Sequence, residues 1–205
     1  MKRFVVAILA MIFTVAVVHA DTLKLISTGS NIAGGVYAYP YYFSINNSAT
    51  LTPLMCLSYD NRITVGESWT ATVTALTSFS FVTTQKNEEA AWLLLNAQEN
   101  PGNTDSDNLA AWSLYSSDVP MNAGAIAQLS LAAAGYKSII PGDFVIYTPV
   151  GGTQSSGGVP QTLIGDSVNV TKTPEPYSLL LLGTGLAGLA FLKRKKALRI
   201  RVCSK

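Results

Sequence analysis

Histidine is almost missing from this chain. The single one, His19, sits at the end of an N-terminal apolar run, and nothing after it carries an imidazole. That excludes a Ser-His-Asp or Cys-His nucleophile from the rest of the chain, and every zinc site that uses histidine. Cysteine is nearly as scarce. Cys56 and Cys203 are the only two, and Cys203 follows a C-terminal apolar run. The two are expected on opposite sides of a membrane, unable to pair, which leaves Cys56 alone in an oxidising compartment. Charged residues are thin, at 13%. Between residues 21 and 176, Lys24, Arg62, Lys86, Lys137 and Lys172 face all twelve acidic residues, a net charge of −7. The positive balance of the whole chain therefore belongs to its ends. With no basic patch in the middle, no nucleic-acid partner is expected. No spacing among Asp60, Glu67, Glu88, Glu89 and Asp143 singles out an acid/base pair. The glycine-rich 151–158 stretch lacks the Lys-Ser/Thr ending of a phosphate loop. These absences lead to the expectation of a protein that is not an enzyme and takes no cofactor.

What the chain does have is concentrated at the two ends. Lys2 and Arg3 precede an apolar run over 4–18, and Val18-His19-Ala20 offers a short-residue cleavage site before Asp21. Residues 1–20 read as a secretory signal peptide. Near the other end, residues 177–192 carry no charge. As a helix they span about 24 Å, short of the roughly 30 Å hydrocarbon core, and snorkelling lysines can make up the difference. The basic run Lys193-Arg194-Lys195-Lys196 then acts as a stop-transfer signal that holds the tail in the cytoplasm. Directly before the apolar segment stands Pro174-Glu175-Pro176. Its prolines cannot join a regular helix, so the peptide there stays extended and accessible.

Together, Pro174-Glu175-Pro176, the 177–192 transmembrane helix and the basic run resemble the PEP-CTERM sorting signal. The resemblance implies a chain exported through the inner membrane of a Gram-negative bacterium and anchored there transiently. An exosortase would cut it near the Pro-Glu-Pro, and the product would pass to the cell envelope, the surface or the extracellular space. Such substrates accompany exopolysaccharide production, so exopolysaccharide or other surface components become candidate partners. The tail beyond Lys196 is longer than the family's short basic end.

The middle, residues 21–170, has the length of one domain. Residues 21–35 are polar and glycine-containing and read as loop. Strands are expected over 37–46, 51–59 and 69–76, the last alternating threonine with apolar residues. The period then changes to helical. Asn87 is expected to cap a helix continuing through Ala90-Ala91-Trp92, a second begins near Asp105, and an alanine-rich third covers 123–134. Strand returns at 144–147, with 159–164 as the other arm of a hairpin. Strands, helices and strands again indicate an α+β class: a small strand-rich domain with two or three inserted helices, between an N-terminal signal helix and a C-terminal transmembrane helix.

Two constellations in this domain carry possible chemistry. The acidic and amide-rich 100–108 stretch offers the oxygens of Asn103, Asp105 and Asp107 to a hard cation such as calcium, or serves only as a turn and helix cap. Cys56 is either a buried structural thiol or a reactive one. The stretches "LMCLSYD", "EEAAWLLLNA" and "SDNLAAWSLY" are similar to the thioester domains of surface adhesins. In that family a cysteine thiol joins a glutamine carboxamide carbon and expels ammonia, leaving an electrophile for amines. The resemblance pairs Cys56 with Asn108, which stands where the family has glutamine and is one methylene shorter.

Overall fold

The computed structural model describes residues 19–76, 84–151 and 160–167. The elements run in chain order as β1 (His19–Thr28), β2 (Ile32–Ala33), β3 (Val36–Tyr37), β4 (Tyr41–Ile45), β5 (Leu51–Cys56) and β6 (Ser68–Ala75). Three helices follow, α1 (Gln85–Glu99), α2 (Thr104–Ser113) and α3 (Ala123–Gly135), and then β7 (Phe144–Pro149) and β8 (Leu163–Asp166). Six strands close into an antiparallel barrel in the order β1-β4-β5-β8-β7-β6, with β6 returning to β1. The α+β expectation holds in this form: the sheet is a closed barrel, and the helices are a single insertion between its adjacent strands β6 and β7. Closure leaves the barrel strands without a free edge.

The pleat of the barrel sorts the core into two parts. One set of strand residues, including Leu23, Leu25, Phe43, Leu54, Ala71, Tyr147 and Leu163, is buried with the T-shaped Phe43–Trp69 pair. The alternate positions Met55, Phe144, Ile146 and Ile164 join the helices in a second cluster. There Ala90 and Ala91 of α1 meet Ala110 and Ala111 of α2, all fully buried, and the small side chains let the two helices pack closely.

Two local expectations are corrected. Residues 21–28 are not loop but the better part of β1, which pairs with both β4 and β6. Asp21, Leu23 and Leu25 are buried while Thr22 and Lys24 are exposed, the two-residue period of a strand. Asn87 does not cap α1. Thr84 occupies that position, and Asn87 lies in the first turn, where its backbone N–H donates to the Thr84 carbonyl (2.9 Å). Short turns follow their chemistry. Gly34 and Gly35, both at positive φ, close the β2–β3 hairpin, and Asn46 and Asn47 do the same between β4 and β5.

The chain divides into two compact units, Met1–Asn169 and Val170–Lys205. Most of the signal peptide, the Pro174-Glu175-Pro176 motif, the 177–192 apolar segment and the basic run lie outside the described residues. Among the described residues, no helix is long and apolar enough to cross a membrane.

Candidate functional site

Cys56 is the last residue of β5 and is fully buried. Its thiol donates to the Ser58 carbonyl (3.3 Å) and accepts from the Ser58 N–H (3.2 Å). Burial pushes the thiol up to about 12. The Ser58 backbone and, more weakly, the Trp112 indole oppose that shift. A thiol held this way is overwhelmingly protonated at neutral pH, the opposite of an activated nucleophile.

Asn108 stands beside it on α2, also fully buried. Its Oδ1 accepts from the Tyr39 N–H at 2.6 Å, and its Nδ2 donates to the Cys56 carbonyl at 3.4 Å. The register of β4 on β5 explains this arrangement. Tyr41 faces Leu54 and Phe43 faces Thr52, so continuation of the ladder would place Tyr39 opposite Cys56. Pro53, opposite Tyr42, cannot donate, which makes the Tyr41–Leu54 and Phe43–Thr52 positions the hydrogen-bonded ones. Tyr39 N–H and Cys56 C=O would thus have bonded each other. The ladder instead opens there, and the Asn108 carboxamide enters the gap and serves both groups. A side-chain amide is a peptide group in miniature, with one acceptor and one donor face. The pair that the sequence put forward is therefore brought together, and the asparagine ties the helical insertion to the barrel.

The candidate cation ligands do not converge. Asn103 and Asp105 are exposed, whereas Asp107 is buried and its two carboxylate oxygens lie 2.9 and 3.0 Å from Asn96 Nδ2, which donates to them and to Gln128 Oε1 (3.2 Å). Among the described residues, no group of three acidic, histidine or cysteine side chains is placed to hold a metal.

Two cavities flank the Ser58–Asn61 turn that follows Cys56. One, of ≈ 400 Å³, includes Asp60, Asn87 and Tyr115 in its wall. The other, of ≈ 330 Å³, lies below the β2–β3 hairpin, walled by Tyr37, Tyr59, Asn61, Arg62, Trp112 and Gln161 among others. Tyr59 leans over Trp112 with ring centroids 5.3 Å apart. Sequence reasoning passed over this second cavity, because Tyr59-Asp60-Asn61-Arg62 reads as an ordinary turn and Gln161 lies about a hundred residues away. One signal in the sequence is Arg62, one of only five basic residues between 21 and 176.

Neither the curated proteins nor the solved structures gave a match to the chain. The thioester-domain similarity thus remains a resemblance of short motifs. One family model does match, that of the PEP-CTERM protein-sorting motif, over residues 172–195. That span contains Pro174-Glu175-Pro176, the apolar 177–192 segment and most of the basic run. The chain therefore carries a PEP-CTERM sorting motif, the mark of an exported surface protein that is processed by an exosortase.

Proposed function

We propose that the processed protein is a non-enzymatic component of the bacterial envelope or extracellular matrix that acts by binding surface material. The observation that carries the proposal is the sorting motif at 172–195, which commits the domain ahead of it to the cell exterior. Two features support a role without catalysis. The described domain offers no histidine beyond the start of β1, and its one cysteine is deeply buried and protonated. In this reading the domain leaves the inner membrane of a Gram-negative cell and is retained among exopolysaccharide or other surface components. The test compares a strain lacking the protein with its parent for retained extracellular matrix. Loss of matrix or of surface attachment is expected, and unchanged matrix with unchanged attachment contradicts the proposal.

A second reading rests on the Cys56–Asn108 juxtaposition. The Tyr39 N–H on Asn108 Oδ1 would polarise the carboxamide carbon toward attack by the thiol, with ammonia leaving. The product would be an internal thioester presented to amines, in an adhesin. Intact mass decides between the two readings. A thioester appears as the loss of one ammonia, with Cys56 resisting alkylation under denaturing conditions. Full mass with a thiol that alkylates after unfolding excludes it.

A further inference from the structure

Two of the three helices present ordinary solvent faces. α1 exposes Gln85, Lys86 and Glu99, and α2 exposes Asp105. α3 breaks the pattern. Eight of its 13 residues are exposed, and none of them is charged. The absence extends past the helix, since residues 119–136 contain no Asp, Glu, Lys or Arg. Ile126 and Leu131 project from it at 56% and 52% exposure. A helix that is apolar all round belongs in an interior. This one is covered on one side only: Ala125, Gln128 and Ala132 are buried, and Leu129 packs on the helical core. The opposite side lies bare in the single chain.

The order of residues on the bare side indicates what covers it. About a midpoint between Gln128 and Leu129, Ala123 is matched by Ala134, Ile126 by Leu131, and Ala127 by Ser130. All six are exposed. A twofold axis at that midpoint would lay α3 antiparallel on the α3 of a second copy, with each residue level with its match in the other chain. Ala123, Ala127, Ser130 and Ala134 are spaced four, three and four apart, the seam spacing of paired helices, and lie opposite the buried stripe. Their small side chains allow the helix axes to approach to about 8 Å, the short end of helix packing distances. At each end of the pair, Ile126 of one chain and Leu131 of the other flank the seam on its two sides. Charge favours the same partner. A second copy carries the same −7 between residues 21 and 176, so two copies repel through their acidic faces and meet best where neither is charged. A lipid surface fits less well, because helices that lie on membranes back their apolar side with lysine and arginine, and α3 has neither.

We propose that the bare side of α3 is a self-association surface, through which two chains pair by antiparallel α3 helices about a twofold axis between Gln128 and Leu129. The inference goes beyond the surface-binding reading and does not depend on it. A helix of 13 residues is about 20 Å long, so the contact is small and the pairing reversible. Disulfide trapping suits such a contact. The full chain in detergent, with Cys203→Ser throughout, is made as Ala123→Cys and as Ala134→Cys, the two distinguished in mass by a tag. They are oxidised separately and as a mixture. In the antiparallel pair, position 123 of one chain faces position 134 of the other, within the roughly 7 Å between Cα atoms that a disulfide spans. Two copies of either position alone lie about 16 Å apart along the helix axes. The mixed dimer should therefore exceed either homodimer by about tenfold. Adding Ala127→Glu to both chains places like charges in the seam. It should cut the mixed dimer by about tenfold or more and leave the melting temperature unchanged, since the position is exposed. Homodimers as abundant as the mixed dimer, or an Ala127→Glu pair that cross-links as before, overturn the proposal. Absence of dimer in every mixture also overturns it, and gives the face to lipid or to a different protein.

Discussion

Asn108 concentrates more of the architecture than its size suggests. Its carboxamide replaces a rung of the β4–β5 ladder and reaches that rung from a helix. Replacing it with alanine strands the Tyr39 N–H and the Cys56 carbonyl in a dry interior, at about 1–3 kcal/mol for each group. Chemical denaturation of Asn108→Ala should show a loss within or above that range, and a loss under about 0.5 kcal/mol would place its bonds among dispensable surface contacts. Asp107, the neighbouring residue, yields a prediction in pH. Burial pushes its carboxyl from 3.8 up to about 6, with the Asn96 amide opposing. The folded state thus holds this proton more tightly than the unfolded chain. The associated stability is complete below pH 3.8 and disappears as pH rises through about 6. Denaturation midpoints measured from pH 4 to 7 should fall with rising pH in the wild type and fall less in Asp107→Asn. Some slope should persist, because burial also raises the Asp166 carboxyl. An unchanged slope in Asp107→Asn would mean that Asp107 is not the group responsible.

Among the elements, the helices and β6 were the most legible in the sequence. Each carries a local signal: an alanine-rich run ending in glycine, an acidic first turn, or threonines alternating with apolar residues. β1 was not legible, because Thr22-Leu23-Lys24-Leu25 is a short alternation that takes its meaning from the partners β4 and β6. Barrel closure was hidden for the same reason, since the β5–β8 and β1–β6 pairings join strands far apart in sequence. The candidate site divides similarly. Cys56 and Asn108 were found by motif, but their contact depends on a broken ladder, and the cavity that holds Arg62 and Gln161 depends on the tertiary fold. Gly165 on β8 shows how tightly the barrel is filled. A Cβ there would lie 2.3 Å from Cδ2 of the fully buried Leu54 on β5. Gly165→Ala should destabilise by about 1–3 kcal/mol through overpacking. Combined with Leu54→Ala, which opens space beside it, the pair should cost less than the sum of the two singles. Strict additivity in that cycle would refute the contact.

At the scale of the whole molecule, the chain assigns different jobs to different stretches. The acidic middle folds into a barrel with an inserted helical layer, and positive charge is concentrated in the two ends. Sorting information occupies 172–195, within the second compact unit, Val170–Lys205, while the described barrel and helices lie in Met1–Asn169. Removal of the sorting segment would therefore leave the described fold complete. The most direct measurement is the mass of the protein recovered from the envelope and medium of its own bacterium, for the wild type and for a Pro174→Ala, Glu175→Ala, Pro176→Ala variant. The wild type should be found outside the membrane with its C-terminus near Pro176, lacking the apolar and basic segments. The variant should remain membrane-bound and retain them. A variant cut and released like the wild type would contradict exosortase processing at this motif.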